Sequence, residues 1–357
     1  MAKDMKVLEV RNVQEALPKG MSHLNLEGIR RESRVGDVLV SKGPVTTVYE
    51  KPDERVLFWA QRDANPFFHF MEGLWMIAGR NDVGWISQFS SNISQFSDDG
   101  ETFHGAYGYR WVNHFVKNIG EDEDHPQYVP FNQLEAIVKM LKANPNERRC
   151  VLQMWDAEVD LARVGKDVPC NTQIYFKIGT DGRLNMTVVN RSNDIIWGAY
   201  GANAVHMSML HEFMAGWIGV PLGRYWQVSN DYHAYVDVFE KHRELIREQP
   251  FGTFEIDPYQ YGRKGKEIVA SYPMVNGPIE DWISDLMMFM DVGPIPGLKD
   301  SFFRKVVGPI YNAWFTWKDA DNPRRIDDAL VQLSSCRATD WRLACEEWLE
   351  RRRRKGA

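Results

Sequence analysis

Two stretches that alternate apolar and polar residues, QIYFKI and LNMTVV, flank the tetrapeptide TDGR at 180–183. Period-two alternation around an Asp-Gly turn dictates a β-hairpin. The hairpin constrains far more than its own residues, because its register decides which side chains of the two arms stand opposite one another. It sets VPCNTQIYF (168–176) beside NRSNDIIWGAYGAN (190–203), so Cys170 and Arg191 are predicted on neighbouring strands. An adjacent guanidinium favours the thiolate, the form of cysteine that attacks carbon. The same guanidinium can hold a phosphate.

The remaining sequence limits what such a pair can serve. A chain of 357 residues accommodates one large core with an appendage, or two modest domains. Its 44% hydrophobic and 26% charged content is that of a folded globular protein. With a net charge of -6 there is no basic surface of the kind that tracks a nucleic-acid backbone, apart from the run Arg351 to Lys355, so no nucleic-acid partner is expected. The opening MAKDMKVLEVRNVQEAL lacks the apolar run of a signal peptide and nothing later approaches a membrane span. A cytoplasmic protein without a membrane partner is expected. The four cysteines, Cys150, Cys170, Cys336 and Cys345, show no CxxC spacing, so free thiols and no metal site are predicted. Cys150, in the apolar run RRCVLQMW, reads as a buried, inert thiol.

Along the chain, VGDVLVS, TTVYE and RVLFWA read as short strands between residues 30 and 60. PFFHFMEGLWMIAG (66–79) reads as a helix buried on nearly every side, yet it carries Glu72, and a carboxylate there needs a partner or a task. Residues 81–109, rich in Ser, Asn, Asp and Gly, read as a loop wall that ends in HGAYGYRW. FNQLEAIVKMLKANPNERR predicts an amphipathic helix ending near Asn144 and Pro145, which delivers Arg148 and Arg149 to a loop before a strand. Adjacent arginines seen alone are usually just solvated. A further helix is predicted from about Ala202 to Trp217, with Val205, Met209, Phe213 and Trp217 as a core stripe. GAYG occurs at 105 and at 198 but completes no GxGxxG turn, which excludes a dinucleotide fingerprint. In RYWQVSNDYHAYVDVFEKH, His233 and Tyr235 stand two apart, so an extended backbone puts both on one face. Residues 278–357 read as several helices broken by Pro and Gly, with the terminal arginines at a solvated helix end.

The ordered set, Glu72 with Trp75 and Gly79, the tyrosine of GAYGYR, Arg148 and Arg149 before a strand, Cys170 after Pro169, the RSND run, Gly198, and the His233 and Tyr235 pair, resembles thymidylate synthase and the pyrimidine hydroxymethylases related to it. The resemblance covers roughly residues 30 to 245. It implies an α+β fold, a mixed sheet flanked by helices, with a catalytic domain at 1–277 and a helical extension at 278–357. It also implies a homodimer acting on a pyrimidine nucleoside 5'-monophosphate, with 5,10-methylenetetrahydrofolate as co-substrate. By that resemblance Cys170 attacks C6 of the base, Glu72 manages protons, Tyr107 sits near the C5 proton and Asp194 faces the pterin. Arg191 and Ser192 bind the phosphate with Arg34, joined by Arg148 and Arg149 from the second subunit, and His233 and Tyr235 bind the sugar hydroxyl.

The departures from the synthase pattern bear on the product. Where synthases carry a tryptophan beside the folate, this chain has NISQFSDDG (92–100), with Phe96 as its aromatic residue. In place of a short apolar tail it runs on to RRRRKGA. Both synthase features keep water from the exocyclic methylene intermediate, so their loss favours water as the final nucleophile and a 5-hydroxymethyl product. NRSNDIIWG is also similar to the matching run of phage deoxycytidylate and antibiotic-pathway CMP hydroxymethylases. On that ground dCMP or CMP is the favoured substrate, with dUMP hydroxymethylation and reductive methylation of dUMP as alternatives. A gapless count from Gly198 puts Ala202 where synthases read uracil with asparagine, and Asn203 one step later. An amide fits uracil in one orientation and cytosine in the other. Phage DNA modification in a host cytoplasm and bacterial antibiotic synthesis both suit such a product. A cysteine hydrolase would need a histidine base beside the nucleophile, where Asn171 stands. A catalytically dead nucleotide-binding module would have lost Cys170 or Glu72, and both are present.

Overall fold

The computed structural model describes residues 5–33, 35–120, 125–247, 257–262, 268–354 and 356. Arg34 lies outside the described residues.

Strand β1 (Lys6–Val10) leads into helix α1 (Val13–Glu27), whose first turn is closed by Asn12, its side chain accepting from the amides of Gln14 and Glu15. Short strands β2 (Ile29–Arg31) and β3 (Val38–Val40) precede β4 (Val45–Tyr49). The buried helix α2 (Pro66–Ile77) starts at Asn65, which caps the amide of Phe68, with Pro66 in the first turn. A small hairpin, β5 (Val116–Asn118) and β6 (Tyr128–Pro130), leads to α3 (Gln133–Ala143) and β7 (Val151–Gln153). Next come β8 (Asn171–Ile178), β9 (Leu184–Asp194), helix α4 (Asn203–Ile218) and the long strand β10 (Leu222–Tyr235).

The main sheet runs β1-β4-β10-β9-β8-β7, with β3 also paired to β10 and β2 to β3. β1 with β4 and β10 with β9 are parallel, while β4 with β10, β9 with β8 and β8 with β7 are antiparallel, so the sheet is mixed. With helices packed on it, this is the predicted α+β architecture. The hairpin forms as its alternation requires. Gly182 takes a φ of +76° in the turn, a left-handed conformation that glycine adopts without strain, and Asn171 pairs with Asn190 at the far end. The central strand β10 pairs with β4 through Tyr225–Ser229 and with β3 through His233–Tyr235, while its other edge holds β9.

Three expectations need correction. In RVLFWA, Arg55 to Trp59 are buried but form no strand, because side chains replace a ladder partner: Val56 O accepts from Gln14 Nε2, and Val56 N donates to the Tyr259 hydroxyl at 3.3 Å. The segment 81–109 is not loop throughout, since Val83–Ile86, Ser91–Phe96 and the start of Tyr107–Val112 are helical turns. The terminal arginines are engaged rather than merely solvated: Arg351 and Arg352 both bond Asp63, and Arg352 lies 3.7 Å from the Trp348 ring centroid.

The C-terminal helices α5 (Ile279–Val292), α6 (Gly308–Lys318), α7 (Arg325–Ser334) and α8 (Thr339–Arg354) form as predicted. They lay an aromatic layer on α2 and α4. Phe67 meets Trp314 at 5.4 Å and Trp348 at 5.7 Å, Phe70 meets Trp341 at 5.0 Å, and Phe213 meets Trp282 at 4.7 Å between ring centroids. Trp282 is fully buried and its Nε1 donates to Met274 O at 2.7 Å. Trp282→Ala is therefore expected to lower stability by about 3–5 kcal/mol, read as a shift of the denaturant midpoint at unchanged slope. Among the described residues no helix is long and apolar enough to cross a membrane.

Candidate active site

The hairpin brings Cys170 and Arg191 together. Arg191 N donates to Cys170 O at 2.9 Å, which extends the β8–β9 ladder by one pair. The Arg191 guanidinium then folds back over the nucleophile's loop, donating to Pro169 O at 2.8 Å and Val168 O at 3.0 Å, and its Nη2 comes within 4.0 Å of Cys170 Sγ. Tyr107, at the start of its short helix, completes the support: its hydroxyl accepts from the amides of Cys170 at 3.3 Å and Asn171 at 3.4 Å. One expectation changes sign here. Burial pushes the Cys170 thiol above its ordinary range and Asp167 adds to this, so that the lowering effect of Arg191 is outweighed.

The other predicted phosphate ligands separate into two groups. Ser192 follows Arg191 on β9 and pairs with Asp231 of β10. Arg148 and Arg149 stand on the exposed approach to β7, and Arg149 is held by Glu147, which it meets at 2.8 Å. Among the described residues neither arginine makes a bond into the Cys170 cluster of its own chain.

A cavity of about 250 Å³ opens beside Tyr107. Glu72, Trp75, Tyr107, Asn203 and His206 are among its walls, and Cys170 adjoins it through Tyr107 rather than lining it. Glu72 projects from the middle of α2 to a buried position 3.2 Å from His206 Nε2, and burial raises its carboxyl to about 8. It is therefore protonated at neutral pH, as a proton donor must be.

Asp194 ends β9 and caps the next segment, accepting from Ile196 N at 3.0 Å and Trp197 N at 2.6 Å. Burial raises its carboxyl despite these bonds. Residues Ile195–Ala202 then form a wide-turned π-helix that leaves helical angles at Tyr200 and Gly201. Asn203 N donates to Gly198 O, five residues back instead of four. That wide turn puts Ala202 and, just beyond it, Asn203 on the cavity wall. A relay of amides fixes it. Asn171 Nδ2 donates to Asn203 Oδ1 at 3.3 Å, Asn203 Nδ2 to Asn193 Oδ1 at 3.0 Å, and Asn193 Nδ2 to Ser229 Oγ at 2.9 Å. Gly198 leaves room for this relay, since a Cβ there would lie 3.0 Å from Asn193 Oδ1 and 3.3 Å from Asn203 Nδ2.

His233 and Tyr235 share a face at the end of β10, their rings 5.7 Å apart and perpendicular. Asp231 bonds His233 Nδ1 at 2.9 Å and helps raise its pKa against the lowering effect of burial. His233 also pairs in register with Asp194, which ties this face to the end of β9.

Sequence reasoning passes over several residues of the site. His206 belongs to the cavity wall, and so do Lys166 and Asp167. Asp167 accepts from Gly105 N at 2.7 Å and so fixes the loop before Tyr107. The signal for His206 lies in its spacing of three from Asn203, which puts both on one side of a helix. The apolar stripe of the same helix masks it.

The thymidylate synthase family profile matches residues 21–264. The chain is 51% identical to the deoxyuridylate hydroxymethyltransferase of Pseudomonas phage M6, over 98% of this chain and 95% of that protein. It is 37% identical to the protein of that name from Bacillus phage SP01, over 57% of this chain and 54% of the other. With the thymidylate synthase of Streptococcus pyogenes serotype M5 (strain Manfredo) it shares 33% identity over 48% of this chain and 61% of that enzyme. The chain belongs to the thymidylate synthase family and is a one-carbon transferase.

Proposed function

We propose that this enzyme adds a hydroxymethyl group to C5 of deoxyuridine 5'-monophosphate, using 5,10-methylenetetrahydrofolate as one-carbon donor and water as the final nucleophile. The observation that carries this reading is the placement of Cys170 and Arg191 beside a cavity walled by Glu72 and Asn203, in a chain so similar to a deoxyuridylate hydroxymethyltransferase. Cys170 Sγ bonds to C6 of the base, and the electron pair of the C5–C6 bond moves toward O4, which makes C5 nucleophilic. Glu72, protonated at neutral pH, supplies a proton where that charge develops. Tyr107 stands next to the nucleophile, where the C5 proton would leave, and Arg191 with Ser192 holds the phosphate.

The folate supplies the one-carbon unit. Trp75, Ile86, Ile93, Phe96 and Phe103 give the same cavity apolar walls that fit a flat heterocycle. Asp194, whose Oδ2 is buried without a hydrogen-bond partner, is the carboxylate proposed to meet its polar edge. His233 and Tyr235 hold the sugar hydroxyl. The exposure of Arg148 and Arg149 supports their reaching the phosphate of a second subunit in a homodimer. Residues 278–357 serve as an extension that braces the catalytic unit of residues 1–277 through α2 and α4. The phage origin of the M6 and SP01 relatives supports action in the cytoplasm of a bacterial host.

The cytosine preference expected from the motif gains no support. The phage relatives are named for deoxyuridylate, and Asn203, tied into the amide relay, is the side chain proposed to read the base. An ionised aspartate in its place accepts hydrogen bonds but cannot donate to O4 of uracil, while it can take N4–H of cytosine. Asn203→Asp should thus shift the dCMP to dUMP ratio of kcat/KM by about 10- to 100-fold toward dCMP, the worth of a buried hydrogen bond. Competition assays with both nucleotides check this. The function itself is tested by mass spectrometry of the nucleotide formed from dUMP, dCMP or CMP together with absorbance of dihydrofolate. A hydroxymethyl product from dUMP without dihydrofolate agrees with the proposal; dihydrofolate formed in step with product indicates reductive methylation and contradicts it.

A further inference from the structure

Glu72 faces a second titratable side chain. His206 lies one helical turn beyond Asn203 on α4, and its ring reaches the same cavity. His206 Nε2 stands 3.2 Å from Glu72 Oε2, yet the two make no hydrogen bond, and both atoms are buried without a partner. Two orphaned polar atoms side by side on a cavity wall make a water site, since one oxygen can satisfy both. The ring's orientation is set from behind. His206 bonds to the backbone of His69, and because Nε2 has no partner that bond is made through Nδ1. A carbonyl only accepts, so Nδ1 carries the hydrogen and Nε2 presents a lone pair to the cavity. Burial keeps the ring neutral, with its pKa lowered to about 3, so the lone pair is present at neutral pH.

We propose that His206, together with Glu72, holds the water that attacks the exocyclic methylene of the bound nucleotide and takes its proton. This inference rests on the hydroxymethylation reading above and assigns its final step. The water oxygen bonds to the methylene carbon. The electron pair of the carbon–carbon double bond moves onto the C5–C4–O4 enolate, and one water proton passes to His206 Nε2. The enolate then restores the C5–C6 double bond and expels Cys170 as its thiolate. No oxidant or reductant enters. His206 is distinct in role from Glu72: the carboxyl is needed from the first addition onward, whereas the imidazole is needed only once the methylene has formed.

That difference gives the test. The enzyme is incubated with C5-tritiated dUMP and methylenetetrahydrofolate in the presence of 2-mercaptoethanol, a nucleophile that competes with water for the methylene. Tritium release reports the steps before hydration, and mass spectrometry separates hydroxymethyl from thioether product. In His206→Ala the ratio of tritium released to hydroxymethyl product should rise by about 10- to 100-fold, the scale of a lost general base, and the thioether fraction should rise with it. His206→Gln, whose amide oxygen can still accept from water, should recover part of the hydroxymethyl product and also serves if the alanine variant does not fold. If tritium release and hydroxymethyl product fall together in both variants with the thioether fraction unchanged, His206 only packs and the proposal is wrong. Absence of tritium release from dUMP in the unaltered enzyme is a different result, which overturns the proposed function and this inference with it.

Discussion

Cys170→Ala is expected to abolish turnover, with a fall of about 10⁴-fold or more, while dUMP binding should stay close to that of the unaltered protein. The magnitude follows from the role proposed for the sulfur: without a bond at C6, C5 of the pyrimidine is not nucleophilic. Binding should survive because the proposed nucleotide contacts lie elsewhere, on Arg191, Ser192, Asn203, His233 and Tyr235. The backbone at position 170 is also held independently of its side chain, by Tyr107 on the amide and Arg191 N on the carbonyl. Calorimetric titration with dUMP and turnover assays on the same preparation check both halves. Retained turnover would remove the covalent mechanism, whereas loss of binding would mean that the substitution disturbs the loop that Arg191 grips.

Glu72→Gln should lower kcat/KM by about 10²- to 10⁴-fold, the range for removing a general acid. The pH profile carries more information than the magnitude. The Cys170 thiol is raised above its ordinary range, so the thiolate fraction of the free enzyme keeps growing as pH rises through neutrality and beyond. Glu72 loses its proton at about 8. Below that pH the acid is intact and kcat/KM climbs with the thiolate. Above it, each gain in thiolate is offset by loss of protonated Glu72, so the profile of the unaltered enzyme flattens near 8. A glutamine does not titrate, and in Glu72→Gln the climb should continue past that point. A variant that flattens at the same pH as the parent would show that Glu72 is not the group responsible.

How much of this was legible in the sequence depends on whether the signal was local. The hairpin was, because period-two alternation around TDGR leaves one register, and Cys170 and Arg191 followed from it. His233 and Tyr235 were legible for the same reason on β10. The mid-helix position of Glu72 among apolar neighbours pointed to a carboxyl raised by burial, as found. RVLFWA misled because β-forming composition says nothing of whether a neighbouring strand exists, and here Gln14 and Tyr259 bond its backbone instead. The strand β1 and the helix α1 were not anticipated, since the opening residues mix charge with apolar side chains and Pro18 interrupts the helical pattern. Ala202 and Asn203 could not be ranked from spacing, because a π-turn changes the count without any residue that marks it. His206 was hidden by a different cause: nearly every side of α4 is buried, so no polar face sets a functional side chain apart. The proposed reach of Arg148 and Arg149 into a second subunit concerns a contact that one chain does not contain.

The most direct test of the central claim follows oxygen. Enzyme, dUMP and methylenetetrahydrofolate are mixed in water enriched in a heavy oxygen isotope, and the nucleotide product is weighed by mass spectrometry. The mechanism predicts 5-hydroxymethyl deoxyuridylate whose added oxygen carries the label, with no dihydrofolate formed. A 5-methyl product accompanied by dihydrofolate would contradict it.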